Sequence, residues 1–146
     1  IVVSCQPNLQ EPGVTVVGTL RRTHPEEHAA LHAYYGAARA FVLCPDFDAF
    51  PNVLLEAQAS GVPVISYNDG SRPEAVQHGE TGLLVERGDT TALAQAFVVL
   101  GRDPVLAAAM GTSAQMRAEQ HFTWPGVARH ILEELASATN TYSRRS

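Results

Sequence analysis

Two carboxylates, Asp48 and Glu56, stand eight residues apart on either side of Pro51, and they are the strongest chemical signal in the chain. Proline suits the first position of a helix, because it has no N–H to leave unsatisfied there and its φ is already helical. A helix begun at Pro51 places Asp48 on the preceding turn and Glu56 in the second turn of the helix. The unpaired amides of such a start belong to Phe50, Asn52 and Val53, and the helix dipole adds positive potential, so an anion is the natural guest. Carboxylates repel phosphate but accept hydrogen bonds well from hydroxyls. Sugar and ribose hydroxyls flanking a diphosphate therefore suit the pair, and the combination fits a nucleotide-sugar.

The elements that must position these residues follow from hydrophobic period. Short β-rich apolar runs alternate with longer helical segments, the pattern of a parallel sheet covered by helices. Strands are expected at Ile1–Ser4, Val14–Val17, Ala40–Leu43, Val62–Ser66 and Gly82–Val85, each too continuously apolar to leave a face to solvent. Helices are expected at Pro25–Tyr35, Pro51–Ala59 and Thr90–Leu100, the last capped by Asp89. Asp103-Pro104 restarts a helix through Leu106, Met110 and Ala114, and a final one runs from about Pro125 to Ala136. Leu93, Ala96, Phe97 and Leu100 form one apolar stripe, and Trp124 reads as a packing anchor. The fold class is α/β: a Rossmann-like doubly wound parallel sheet with helices on both faces and an all-helical C-terminal end. It reads as one domain over residues 1–138, with a frayed polar tail at 139–146. In such sheets ligands bind outside the carboxyl ends of the strands, where the turn carrying Asp48 lies.

Composition narrows the function classes. Ten Lys+Arg against 15 Asp+Glu give a net charge of −5, and the basic residues cluster only at Arg21-Arg22 and Arg144-Arg145. No basic stripe is available to neutralise a nucleic-acid backbone. Cys5 and Cys44 fall in apolar runs that read as buried strands, so a reducing, cytoplasmic compartment is expected. No apolar stretch has the length of a membrane span, and the first residues lack the basic flank of a signal peptide. Because the chain opens in a strand without an initiator Met, it is expected to be a piece of a longer protein. His24, His28 and His32 recur at intervals of four, a spacing able to chelate a metal from one helix face. No Cys joins them and they precede the motif strand, so a structural role is expected and no metal ligand.

The run from Asp48 to Ile65 resembles the E-x7-E segment of retaining GT-B glycosyltransferases, the group 1 or GT4 family. Gly70-Ser71-Arg72-Pro73-Glu74-Ala75-Val76 resembles the family's G-G-x-P-E-V-V turn. Residues 78–85, Gly88-Asp89, Met110-Gly111 and Phe122-Thr123-Trp124 fall in the family's order and spacing. Upstream, Val16-Val17-Gly18, Glu26-Glu27, Tyr34-Tyr35 and Ala37-Ala38 resemble the stretch before the motif, so the likeness covers roughly Val14 to Leu135. Several linked motifs in order are far stronger than any one pattern.

The resemblance implies half of a GT-B fold, the donor-binding half of an enzyme that moves a sugar from a nucleoside diphosphate to an acceptor held by an N-terminal domain. It implies that Glu56 holds ribose hydroxyls, that Asp48 meets the donor sugar, and that amides around Phe50, Asn52 and Val53 meet sugar and diphosphate. Gly70, Ser71 and Glu74 join them as substrate-binding candidates. No catalytic nucleophile, cofactor or metal is implied. Asp48 is one methylene shorter than the family's glutamate, and no match precedes Ile1 for the family's Arg- and Lys-bearing diphosphate loop. The acceptor domain is likewise unmatched, so the chain alone is expected to be inactive in transfer. The longer enzyme is expected to be cytoplasmic, with peripheral membrane association left open. Two rival readings stand beside this one: a non-catalytic sugar-nucleotide-binding or interaction domain, and a different doubly wound fold such as half of a phosphosugar epimerase.

Overall fold

The computed structural model describes residues 2–4, 10–21, 23–46, 52–129 and 131–132. The chain divides into two compact units, Ile1–Ala37 and Ala38–Ser146.

In the first unit, β1 (Val2–Ser4) pairs in parallel with β2 (Val14–Val16), Val2 opposite Val14 and Ser4 opposite Val16. Helix α1 spans Pro25–Ala37, two residues beyond its expected end. Pro25 occupies its first position, and Glu26 and Glu27 place negative charge in its first turn, where the dipole favours it. Glu27 also receives the Arg21 guanidinium, with Nη2 at 2.6 Å from Oε1. Tyr35 is the buried residue of this helix.

The second unit contains a three-stranded parallel sheet in the order β3-β4-β5, formed by Phe41–Leu43, Val64–Tyr67 and Gly82–Val85. Phe41 lies opposite Val64, and Val64 opposite Gly82. Helix α2 (Asn52–Ala59) connects β3 to β4, and the short α3 (Arg72–Ala75) follows β4. After β5 the chain is helical, with α4 over Thr90–Arg102 and α5 over Pro104–His121. Asp89 caps α4 by accepting from Ala92 N at 2.8 Å, and Asp103 caps α5 by accepting from Val105 N and Leu106 N at 3.1 and 2.9 Å. Each cap satisfies amides that the first helical turn leaves without partners.

Val64 and Ile65 point to opposite faces of β4 and both are fully buried, so both faces of this sheet are covered. On one face Ile65 and Val85 pack with Ala96, Leu100, Ala107 and Met110 of α4 and α5. Gly82 permits the tight pairing beside it, since a Cβ there would sit 2.1 Å from the Val64 carbonyl oxygen. Gly111 does the same for α5, where a Cβ would meet the Gly61 carbonyl oxygen at 2.1 Å.

The α/β class with parallel strands is the one expected, but several details differ. The strands pair in two separate sheets. Thr15 of β2 is exposed and all of β3 is half-buried, so continuous apolarity did not guarantee burial. β3 is an edge strand of its sheet, and the period-2 alternation of β2 turns Thr15 outward. Phe97 is 40% exposed and leaves the stripe of α4, whose buried residues are Ala96 and Leu100. Trp124 is 88% exposed, so it is not the packing anchor expected. It lies two residues, about 200° of helical rotation, from Gly126, and Gly126 makes the tight approach to the Gln120 carbonyl instead. Cys44 falls just past β3 and is half-buried, whereas Cys5 and the tail 139–146 lie outside the described residues.

Candidate functional site

Helix α2 sorts its residues cleanly. Leu54, Ala57 and Gln58 are buried, and Asn52, Val53 and Glu56 share the other side, where spacings of three and four residues bring them onto one face. Asn52 and Val53 are exposed in the first turn, and Glu56 is half-buried one turn later. Ser60 closes the helix by donating its hydroxyl to the Glu56 carbonyl at 2.9 Å. The first two candidates of the motif, Asp48 and Phe50, lie outside the described residues, as does Pro51.

At the carboxyl ends of the strands, three turns meet through charged side chains. Asp46 follows β3, Asp69 follows β4 and Arg87 follows β5. The Arg87 guanidinium binds Asp69 Oδ2 at 2.7 Å through Nη2 and at 2.8 Å through Nε, and reaches Asp46 Oδ1 at 3.4 Å. It also lies over the Tyr67 ring, 5.1 Å from its centroid. Asp69 meanwhile accepts from Arg72 Nη2 through its other oxygen. One carboxylate thus serves two arginines. Asn68 adds a bond to Glu86 Oε1 at 2.9 Å, and the Ser66 hydroxyl donates to the Leu43 carbonyl, tying β4 to β3.

Gly70 and Ser71 occupy the turn between Asp69 and Arg72. Gly70 takes a φ of 57°, in the left-handed region that glycine adopts without strain, and Ser71 stands at the N-cap of α3. Glu74 is exposed on α3, and its backbone carbonyl accepts from Arg117 Nη2 of α5 at 2.9 Å. The α3 segment is fastened to α2 from below, because Gln58 Nε2 donates to the Ala75 carbonyl at 3.1 Å. The structure therefore joins the two motif segments, 52–59 and 70–75, which the chain separates by a strand.

Sequence reasoning missed the residues that make this junction: Gln58, Asp69, Arg72 and Arg87. Arg72 is only 2% exposed, and its Nε and Nη1 have no hydrogen-bond partner among the described residues. A buried guanidinium is rare without a paired carboxylate, and Asp69 three residues earlier was the available signal. Burial pushes the nearby Cys44 thiol up from its ordinary 9.0; the Arg72 charge pulls it partly back and Asp69 adds to the rise. A thiol held protonated in this way is a poor nucleophile. His28 and His32 meet on α1, while His24 turns to the Thr23 hydroxyl. Among the described residues no group of three or more His, Cys, Asp and Glu is placed to hold a metal ion.

Comparison with known proteins decides the family. The model of the glycosyl transferases group 1 matches residues 3–103. The chain belongs to the group 1 glycosyltransferases. Its similarity to the capsular polysaccharide biosynthesis glycosyltransferase CapM of Staphylococcus aureus is 36% identity over 78% of this chain and 29% of that protein. With the D-inositol 3-phosphate glycosyltransferase of Streptomyces avermitilis it is 32% over 89% of this chain and 28% of the relative. Among solved structures, the sucrose-phosphate synthase of Thermosynechococcus elongatus superposes with a TM-score of 0.69 at 32% identity, over 88% of this chain and 31% of the synthase. Anabaena HepE in complex with UDP and glucose gives a TM-score of 0.69 at 26% identity, over 87% of this chain and 33% of HepE. The chain thus spans about a third or less of the proteins it resembles, and its α/β fold matches part of the solved GT-B structures.

Proposed function

We propose that residues 1–138 are the donor-binding domain of a retaining glycosyltransferase, holding a nucleoside-diphosphate sugar for transfer to an acceptor carried elsewhere in a longer protein. One observation carries the reading: Asn52, Val53 and Glu56 share a face of α2, and buried Gln58 fastens that helix to the segment following the Gly70-Ser71 turn. This arrangement sets a hydroxyl acceptor beside a helix start at the carboxyl end of a parallel sheet. Support comes from HepE, which is similar to this chain and was solved with UDP-glucose. The domain supplies position and electrostatics rather than a nucleophile, and needs no metal to hold the donor. In this reading Glu56 accepts from ribose hydroxyls, Asp48 serves the donor sugar, and amides near Phe50, Asn52 and Val53 serve the sugar and diphosphate.

Titration of the chain with UDP-, GDP- and ADP-sugars tests this. One nucleotide series is expected to saturate, with EDTA making no difference. Glu56→Gln should weaken that binding by about 1 to 3 kcal/mol, roughly 5- to 150-fold in Kd, because a neutral oxygen replaces a charge-assisted acceptor. The deoxyribose nucleotide should show a smaller loss. Equal affinity of wild type and Glu56→Gln for a saturating nucleotide overturns the assignment.

A further inference from the structure

On α1, outside everything used above, His28 and His32 bring their Nε2 atoms to 3.2 Å from each other. Their ring centroids are 4.5 Å apart and their planes stand at 86°. Residues four apart lie on one helix face, so the pair is fixed by the backbone rather than by a flexible loop. Imidazole nitrogens bind Zn2+ at about 2.0–2.1 Å. A cation at that distance from both Nε2 atoms spans an angle of about 100° at the metal, between the octahedral and tetrahedral values. The contact is a ring-to-ring hydrogen bond, and the same separation lets both nitrogens reach one cation when each ring carries its proton on Nδ1 instead.

We propose that His28 and His32 form a two-histidine site for a borderline-soft divalent transition cation such as Ni2+, Cu2+ or Zn2+. Both rings bind as neutral imidazoles through Nε2, and water completes the coordination, since no third protein ligand converges there among the described residues. Neighbouring groups are otherwise engaged. Glu27, on the same helix, is committed to Arg21, and His24, one turn earlier, faces the Thr23 hydroxyl through Nδ1. His32 is exposed and His28 half-buried, so a hydrated cation reaches the pair directly. The cation staples one turn of α1 and takes no part in donor binding; the site stands whether or not the donor reading does.

The test is calorimetric titration of the untagged full chain with NiCl2 and with ZnCl2 at neutral pH. One saturating event at submillimolar metal is expected, accompanied by a rise in Tm at saturation. His32→Gln and His28→Gln should each weaken binding at least about tenfold, about 1.4 kcal/mol, and abolish the Tm rise, while His24→Gln changes neither. His32→Gln alters an exposed side chain and leaves Tyr35, the buried residue of α1, in place. Metal binding that persists unchanged in His32→Gln, an equal loss in His24→Gln, or no saturation in wild type overturns the site.

Discussion

Gln58 and Ala75 are 17 residues apart in the chain, yet the Gln58 side-chain amide and the Ala75 carbonyl share a buried 3.1 Å hydrogen bond that joins α2 to α3. Gln58 is fully buried, and its Oε1 has no partner among the described residues. An amide is retained there because its N–H2 satisfies a carbonyl at the end of a four-residue helix. Gln58→Leu should therefore destabilise the fold by about 1 to 3 kcal/mol, the cost of leaving a buried carbonyl unpaired. Gln58→Glu should be worse, because it buries a charge facing a carbonyl oxygen. Urea denaturation at neutral pH ranks the two; a Gln58→Glu protein as stable as wild type would show that the bond carries no weight.

Asp69 serves both Arg72 and Arg87, and the two arginines do not depend on it equally. Arg72 is buried, whereas Arg87 is 42% exposed and open to solvent. Asp69→Asn strands a buried guanidinium and should cost about 3 kcal/mol, the lower end for a broken buried pair, since Asp69 itself retains some water contact. Arg72→Met leaves Asp69 paired with Arg87 and should cost clearly less. Chemical denaturation of the two single variants decides it, and the reverse order would mean that Arg72 is not the dependent partner.

The Arg21 side-chain hydrogen bonds hold the Glu27 carboxyl well below its ordinary 4.5, at about 2, with the Arg21 backbone N–H adding to the effect. The folded value lies below the unfolded one, so the pair contributes stability above about pH 4.5, and that contribution is lost as pH falls through about 2. Glu27 carboxyl NMR should report a midpoint near 2 in wild type and a clearly higher one, still below 4.5, in Arg21→Gln, which removes the side-chain hydrogen bonds and keeps the backbone N–H. A Glu27 midpoint unmoved by Arg21→Gln would overturn the side-chain assignment and leave the backbone N–H as the cause.

The α/β class, the parallel pairing, the cap at Asp89, the helix restart at Asp103-Pro104 and the extent of β5 were legible in the sequence alone. Each is a local property, written in hydrophobic period, proline placement and a short polar side chain one step before a helix. The motif helix was legible too, although Val53, which an apolar reading groups with Leu54 and Ala57, lies exposed on the other side. Only the tertiary structure decided that Arg72 is buried, that Asp69 is divided between two arginines, that Gln58 spans two helices, that Trp124 faces outward, and that His28 meets His32 while His24 does not. A charged side chain among polar neighbours reads as solvent-facing until its distant partner is known. For Arg87 that partner, Asp69, comes from the turn after another strand, brought alongside by sheet order rather than by sequence distance.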